Sequence, residues 1–290
     1  AVAGLSRRVA DAGGNIDRVR RTASYPVTAL ALEVSGADPT SLRKGLAAEA
    51  ARREVDVAVQ PSDLHLHGQR LIVMDVDSTL IQDEVIELIA RHAGCEAQVA
   101  EVTAEAMRGE LDFAESLRRR TALLAGLPAE TLDAVREEVR FTPGARTLVR
   151  TLRRLGHRVA LVSGGFEEVV QPLAEELSVN FVRANRLEVA DGRLTGRLAG
   201  PIVDRRGKEV ALRGFAAELG IPMRRTVAIG DGANDLDMLA AAGLGIAFNA
   251  KPIVRAEADA SVNVPYLDTV LYLLGFSRED VEAADAESAG

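Results

Sequence analysis

The chain has 290 residues, of which 47% are hydrophobic and 27% charged, so it is long enough for one large or two ordinary globular domains, and a disordered or fibrous class is excluded. Its net charge of −8, without a Lys/Arg tract, argues against binding to nucleic acid. Cys95 is the only cysteine, and no apolar run reaches the roughly 18 residues of a membrane helix, so we expect a cytoplasmic protein with no internal disulfide and no membrane contact.

The first predicted unit covers residues 1–62. Apolar residues at helical spacing predict a first helix that ends at Gly13-Gly14-Asn15, and Asp38-Pro39 is typical of a helix start. The predicted elements are a helix at 1–15, strands at 16–21 and 26–34, a helix from 38 to about 53, and a strand at 55–59. This order is that of a ferredoxin-like unit without its first strand.

The unit resembles an ACT domain, a small module that often binds amino acids in metabolic enzymes. Because a missing first strand would leave an open sheet edge, we expect the natural chain to continue upstream; the alternative is a domain that a partner completes. The resemblance implies an amino-acid effector and pairing into a homodimer. Only Gly14-Asn15 remains of the region that holds the ligand loop in such domains, so whether an effector binds stays open.

A buried parallel strand is predicted at Leu71–Met74, which is a short, unbroken apolar run. Two carboxylates, Asp75 and Asp77, follow it directly, at the end of the strand where open α/β sheets bind ligands. Acids this close repel each other, so we expect them to attract a divalent cation or to have shifted pKa values.

Residues 82–141 carry helical periodicity and almost no strand signal. From Thr142 to Phe276 the pattern alternates between helix and strand, which predicts a doubly wound parallel sheet of the α/β class, with a hairpin at Asp191-Gly192. The acidic end of the chain is predicted to fray. The predicted boundaries are 1–62 for the ACT-like domain, 63–68 for a linker, 69–81 and 142–276 for the sheet domain, 82–141 for a helical insertion, and 277–290 for the tail.

The linker carries a His-x-His pair, His65 and His67, which could in principle bind a metal. No third ligand is near in the sequence, so we expect both side chains to be solvated and assign them no site.

Three further segments carry candidate site residues. Ser163 and Gly164 stand where a predicted strand meets a helix, so their hydroxyl and N–H groups can hold phosphate oxygens. Lys208 is one of three lysines, and an ammonium group suits a site shared by an aspartate and a phosphate. Asp231 and Asp235 flank a turn that opens a helix, where both can face a cation. Packing, solvation and helix capping are the alternatives for these residues taken singly.

Together with Asp75-Val76-Asp77-Ser78-Thr79, these segments resemble the four motifs of the haloacid dehalogenase superfamily of phosphotransferases, in the right order. The similarity covers residues 68–275 and is strongest to the branch that hydrolyses phosphoserine. It implies the superfamily's doubly wound core, with the helical insertion as a cap that closes over the site and excludes water.

By this resemblance, Asp75 is the nucleophile that forms an aspartyl-phosphate. Asp77 is the acid that protonates the leaving serine oxygen and then the base that activates water. The implied cofactor is Mg²⁺, held by Asp75, the backbone carbonyl of Asp77 and the carboxylate of Asp231, with Asp235 in support.

The remaining implied residues bind the substrate. Those on the phosphate are Ser163, Gly164, Lys208 and Asn234, where Asn234 either touches the phosphate or helps to fix Lys208. Those in the cap are Glu84 for the ammonium group, Arg120 for the carboxylate, and Met107 and Phe113 for the apolar wall. Without the resemblance, charged cap residues of this kind would be predicted to form a solvated helix face.

The sequence therefore predicts a Mg²⁺-dependent phosphatase that converts O-phospho-L-serine to L-serine and phosphate, the last step of serine synthesis. Two alternatives stay open. One is phosphoryl transfer from phosphoserine to another alcohol, which would use the same residues. The other is an amino-acid sensor with a vestigial phosphatase core, although no motif position carries an inert residue.

Overall fold

The computed structural model of the protein describes residues 1–61 and 68–286. Most of the predicted linker, including His65 and His67, and residues 287–290 of the predicted tail lie outside these ranges. None of the helices in the described ranges has the length and apolar character that a membrane crossing needs.

The N-terminal unit packs two helices on a two-stranded antiparallel sheet. Val9, Leu42 and Leu46 form the centre of its small core. Asp38 caps the second helix by accepting a hydrogen bond from the Ser41 N–H at 2.8 Å. The elements are α1 (Val2–Asp11), β1 (Asn15–Ala23), β2 (Ala29–Ser35) and α2 (Pro39–Arg53).

The strand predicted at 55–59 was wrong, because these residues have no strand hydrogen bonds in the structure. Val57 and Val59 nevertheless pack against the small core. In a ferredoxin-like unit the last strand pairs with the first, and residues 1–14 offer no strand for it to join. Partly buried apolar residues do not form a β-strand when no neighbouring strand is there to share backbone hydrogen bonds.

The main sheet has seven strands in the described part of the chain, in the order β6-β5-β4-β3-β7-β8-β9. All neighbours are parallel except β5 and β6, which confirms the predicted doubly wound α/β class. Its strands and surrounding helices are β3 (Leu71–Met74), α7 (Ala145–Arg154), β4 (Arg158–Phe166), α8 (Glu167–Glu176), β5 (Phe181–Ala190), β6 (Arg193–Ala199), α9 (Arg205–Glu218), β7 (Thr226–Gly230), α10 (Leu236–Ala241), β8 (Leu244–Phe248), α11 (Pro252–Glu257), β9 (Ala260–Val262), α12 (Thr269–Leu273) and α13 (Arg278–Ala286), with the inserted helices α3–α6 between β3 and α7.

Strand β3 lies at the centre of this sheet, paired with β4 on one side and β7 on the other. All four of its side chains are fully buried, since helices cover both faces of the sheet. Because β3, β4 and β7 run in parallel, the segments that follow their carboxyl ends meet at one edge of the sheet.

Four helices form the insertion between β3 and α7. They are α3 (Val85–Ala93), α4 (Glu96–Met107), α5 (Phe113–Ala122) and α6 (Thr131–Glu138). The predicted hairpin between β5 and β6 turns at Asp191 and Gly192, both with positive φ, and it ties the insertion to the sheet. Gly126 donates to the Leu194 carbonyl at 2.8 Å, and Leu194 donates to the Leu127 carbonyl at 2.9 Å.

The prediction of a frayed tail was wrong for residues up to Ala286, which form α13. Val281 and Ala284 are buried, one helical turn apart, in a helix that packs on α7. Ser277 and Asp280 cap the helix, because each backbone N–H donates to the other residue's side chain. An acidic composition obscured this short apolar stripe in the sequence.

Polar contacts connect the N-terminal unit to the sheet domain. Arg43 on α2 donates to Asp259 at 2.6 Å, and Asp259 also accepts from the Gly245 N–H on β8 at 2.9 Å. Asp56 accepts two hydrogen bonds from Asn263, one from the backbone and one from the side chain. These contacts bring the N-terminal unit against the β8–β9 side of the sheet.

His157, between α7 and β4, is a largely buried imidazole with a lowered pKa. Its Nδ1 accepts from the Arg70 N–H at 3.2 Å, and burial followed by the charge of Arg70 lowers its pKa to about 4. The unfolded chain, with an ordinary pKa of 6.5, therefore binds a proton more tightly than the folded chain between these values. This imidazole thus destabilises the folded protein as the pH falls through that window.

We expect His157→Asn to reduce this pH dependence, because an amide oxygen can accept the same hydrogen bond without titrating. The unfolding free energy of the wild type relative to the variant should fall by about 2 kcal/mol between pH 7 and pH 4.5. Urea denaturation at both pH values measures it. The acidic groups common to both proteins cancel in the comparison, so a difference that is independent of pH would contradict the assignment.

Candidate active site

A buried ammonium group joins two strand ends at the carboxyl edge of the sheet. Lys208, in the first turn of α9, donates to Asp75 Oδ1 at 2.6 Å and to Asp235 Oδ1 at 2.7 Å. All three side chains are at most 4% exposed. Helix α9 begins here because Asp204 caps it by accepting from the Gly207 N–H at 2.7 Å.

The charges in this cluster shift the pKa values of Lys208 and Asp75. Burial opposes the charge on Lys208, but Asp235 and Asp75 outweigh that effect and raise its pKa. Burial, followed by the charge of Asp235, raises the pKa of Asp75 well above its ordinary value, although Lys208 acts in the opposite direction. One ammonium group therefore compensates the two acids only in part.

A third carboxylate, that of Asp231, completes an acidic cluster with Asp75 and Asp235. One oxygen from each residue lies within 4.8 Å of the others. Burial and the charge of Asp235 raise the pKa of Asp231 to about 6. Asp235 accepts from Lys208 and from the Gly232 N–H at 3.0 Å, so both of its oxygens already have donors. Asp75 and Asp231 are therefore the better candidates for direct metal ligands.

Asp77 is held through both of its carboxylate oxygens. Oδ1 accepts from the Val85 N–H at 2.7 Å, and Oδ2 accepts from the Ser163 hydroxyl at 2.9 Å. Burial nevertheless raises the pKa of Asp77 above its ordinary value. Ser78 follows in a left-handed conformation, with φ +56°, which turns the chain out of the strand toward the inserted helices.

Ser163 and Gly164 were predicted to stand where a strand meets a helix, but β4 continues through them to Phe166, with a bulge at Ser163-Gly164-Gly165. Val162 pairs with Arg183 and Phe166 pairs with Asn185, so β4 advances four residues while β5 advances two. A Cβ at Gly165 would lie 2.8 Å from Asp77 Oδ2, so this position needs glycine. The bulge brings Ser163 onto Asp77.

The insertion supplies part of the predicted pocket. Glu84 accepts from the Ser78 hydroxyl at 2.7 Å, and although part of its side chain is exposed, burial of the carboxyl group and the charge of Asp77 raise its pKa to about 7. Burial lowers the pKa of Arg120, while the charges of Glu84 and Asp77 oppose this shift, so the guanidinium lies within electrostatic reach of both acids. Phe113 reaches within 3.1 Å of a Cβ position at Gly164.

Two predicted residues are not joined to this group by the contacts of the structure. Met107 ends α4 with 70% of its surface exposed, so it is not buried with the other residues of the pocket. Asn234 packs on the turn at Gly232, where an added Cβ would collide with it. The Lys208 ammonium donates instead to Asp75 and Asp235.

The structure adds two polar side chains that the sequence analysis did not single out. The Ser78 hydroxyl fixes Glu84, and its place inside the Asp75–Thr79 segment was a signal for a role in the site. The Asn185 amide bonds the Gly164 carbonyl at 2.8 Å. An isolated Asn in a strand gives no signal in a single sequence.

Comparison with known families gives two matches. The haloacid dehalogenase-like hydrolase family matches residues 72–240, and an ACT domain family matches residues 1–60. Both resemblances stated from the motifs are thereby confirmed.

Individual proteins match over most of the chain. A phosphoserine phosphatase of Streptomyces coelicolor is 64% identical over 285 residues, which cover 98% of this chain and 70% of that protein. The phosphoserine phosphatase SerB2 of Mycobacterium tuberculosis is 58% identical over 292 residues, with 100% and 71% covered. A solved phospho-aspartyl intermediate analogue of a phosphoserine phosphatase superposes with a TM-score of 0.67 and 42% identity, over 71% of this chain and 98% of that one.

The role of Lys208 in the folded protein can be measured directly. In metal-free buffer at pH 7, Lys208→Met should lower the free energy of unfolding by about 3–5 kcal/mol, because it leaves two buried carboxylates without their cation. Lys44→Met is the matched control, since Lys44 is exposed on α2, and it should change stability by less than about 0.5 kcal/mol. Equal urea midpoints for the two variants would contradict the assigned pairing.

Proposed function

The chain belongs to the phosphoserine phosphatase family of haloacid dehalogenase-like hydrolases, and on this premise we propose that it hydrolyses O-phospho-L-serine to L-serine and phosphate. The observation that carries the proposal is the meeting of Asp75, Asp231 and Asp235 around the Lys208 ammonium. Such a cluster has a surplus of negative charge that a divalent cation can balance, and the bound cation would then let a phosphoryl group approach Asp75.

The donor set fits Mg²⁺, because the candidate ligands are hard oxygen atoms and the single ammonium group does not balance the acids. Asp75 and Asp231 would hold the ion through their carboxylates and Asp77 through its backbone carbonyl. The carboxylate oxygens of Asp235 already accept hydrogen bonds from Lys208 and from the Gly232 N–H. When bound, Mg²⁺ would offset the repulsion between an anionic nucleophile and a phosphate dianion.

In the proposed reaction, Asp75 attacks phosphorus and the bond from phosphorus to the serine oxygen breaks, which leaves an aspartyl-phosphate. Asp77 gives a proton to the departing oxygen, and its raised pKa favours the protonated form that this step needs. Asp77 then takes a proton from the water that attacks the aspartyl-phosphate, so phosphate leaves and Asp75 is regenerated. Ser163, Gly164 and Lys208 would hold the phosphate oxygens through this exchange.

Selectivity for phosphoserine would come from the inserted helices. Arg120 supplies a guanidinium for the substrate carboxylate and Glu84 a carboxyl group for its ammonium. A bound ammonium group would favour the ionised form of Glu84, whose pKa of about 7 in the free protein reflects its burial and the nearby charge of Asp77. Phe113 closes the apolar side over Gly164, and Met107 would have to move in from the surface to join it.

Relatives support the finer steps of this proposal. The solved phospho-aspartyl intermediate analogue belongs to a phosphoserine phosphatase that is 42% identical over 71% of this chain. Phosphoryl transfer to another alcohol would use the same residues. The sensor alternative with a vestigial core is disfavoured, because the four aspartates, Ser163 and Lys208 of the motifs are all present.

Several wider expectations belong to the same proposal. The reaction would be the last step of serine synthesis, and residues 1–62 would act as a regulatory ACT domain with an amino-acid effector. The other proposed parts are the linker at 63–68, the core at 69–81 and 142–276, the cap at 82–141 and the tail at 277–290. Homodimer formation and a cytoplasmic location stay predictions.

Substitution of the nucleophile tests the covalent step. Asp75→Asn should lower kcat for phosphoserine by about 10⁴-fold or more and abolish the phosphorylated protein detected by mass spectrometry after rapid quenching. EDTA should abolish wild-type turnover, and added Mg²⁺ should restore it. Asp237→Asn, at a surface acid paired with Arg205, is the control and should retain both the activity and the adduct. Turnover that persists in EDTA would exclude the metal role.

Substitution in the insertion tests the carboxylate contact. Arg120→Ala should lower kcat/KM for phosphoserine about 10 to 100-fold more than for O-phosphoethanolamine, which keeps the ammonium but lacks the carboxylate. The exposed neighbour Arg118→Ala is the control and should affect the two esters alike. If Arg120→Ala also affects both esters equally, Arg120 does not bind the carboxylate.

A further inference from the structure

The bulged loop Ser163–Gly165, which we call the phosphate loop, is held from behind by a buried amide. Asn185 on β5 is 2% exposed. Its Nδ2 donates to the Gly164 carbonyl at 2.8 Å, and its Oδ1 accepts from the Val203 N–H at 2.7 Å. The carbonyl can only accept and the N–H can only donate, so these partners fix which way the amide faces.

The peptide group between Gly164 and Gly165 is hydrogen-bonded through both its carbonyl oxygen and its N–H. Its carbonyl oxygen accepts from Asn185, and its N–H donates to the Ser163 hydroxyl oxygen at 2.7 Å. A hydroxyl group has one hydrogen, and with an N–H pointing at its oxygen this hydrogen is directed away, toward Asp77 Oδ2 at 2.9 Å. A chain of three hydrogen bonds therefore links Asn185 to the proposed acid, Asp77.

Regular ladder bonds between β4 and β5 do not hold the loop in this conformation. Ladder pairing between β4 and β5 is interrupted from Val162 to Phe166, and two consecutive glycines have the greatest backbone freedom of any pair. The Asn185 side chain replaces the missing ladder contact from the neighbouring strand. Its second bond, to Val203, ties the same loop to the residue before Asp204, the cap of the helix that carries Lys208.

We propose that Asn185 is a positioning residue of the active site. It holds the Gly164–Gly165 peptide so that the Ser163 hydroxyl faces Asp77, and it keeps this loop in register with the Lys208 helix. Asn185 touches neither the acid nor the proposed substrate. The inference rests on the proposed phosphoserine hydrolysis for its effect on rate.

Asn185→Asp is the informative variant, because it keeps the size and the acceptor for the Val203 N–H, while an ionised carboxylate cannot donate to the Gly164 carbonyl. We expect kcat for phosphoserine to fall about 10²-fold, the scale of loss expected when a reacting group is displaced by about 1 Å.

Thr226→Val is the matched control, because Thr226 is also buried, also accepts a backbone N–H, from Gly243, and also donates to a carbonyl, of Met223, at the amino end of β7. It should lose stability with little change in kcat.

A double-mutant cycle separates positioning from general damage. If Asn185 acts through the phosphate loop, Asn185→Asp in a Ser163→Ala background should lower kcat much less than it does in the wild type. Additive losses, or a kcat loss no larger than that of Thr226→Val, would overturn the inference.

A second readout does not need activity. Amide hydrogen exchange in the peptide that spans the phosphate loop should be faster in Asn185→Asp than in the wild type or Thr226→Val, because the loop has lost its tether. If this peptide exchanges at the same rate in Asn185→Asp as in the wild type, the inference is overturned, whatever the activity of the enzyme. Faster exchange in a protein whose wild type does not hydrolyse phosphoserine would support the positioning role and reject the proposed function alone.

Discussion

The site depends on the burial of one ammonium group between two carboxylates. Removing three charges from water is costly, and it is tolerated here because Lys208 lies within hydrogen-bond distance of both Asp75 and Asp235. Each member is carried by a different element, so the pairing requires β3, α9 and the turn after β7 to be docked correctly. A third acid, Asp231, exceeds what one lysine can balance, and this surplus of negative charge makes the cluster a candidate site for a divalent cation.

Sheet topology explains how distant segments reach one place. Strand β3 is central, and its neighbours β4 and β7 run parallel to it, so three loops emerge side by side. The acids follow β3 and β7, while the phosphate loop is a bulge in the last part of β4. The chain returns from the β5–β6 hairpin into α9, whose first turn brings Lys208 underneath these loops. The acids and Lys208 are therefore positioned by strand ends and by a helix start rather than by a long flexible segment.

Much of this could be predicted from the sequence, because a buried strand such as Leu71–Met74 has an unmistakable apolar run and its following acids have a known place in the fold. The errors arose where the outcome depended on a neighbouring element that the local sequence does not show: a strand to pair with, or a helix to pack on. Residues 55–59 alternate like a strand but have no strand to pair with, whereas Val281 and Ala284 bury a short stripe inside an acidic tail. Asn185 was missed because its proposed role depends on a hydrogen bond to Gly164 on the neighbouring strand β4.

Hydrogen bonds from two different parts of the fold thus converge on the carboxylate of Asp77. The β4 bulge holds its Oδ2 through Ser163, and the start of α3 holds its Oδ1 through the Val85 N–H. Since the first belongs to the sheet and the second to the insertion, a movement of α3 relative to the sheet would alter the hydrogen bonding of this carboxyl group. The same helix follows Glu84, which bonds Ser78 next to Asp77. The hydrogen bonds of Asp77 therefore connect the insertion to the sheet domain.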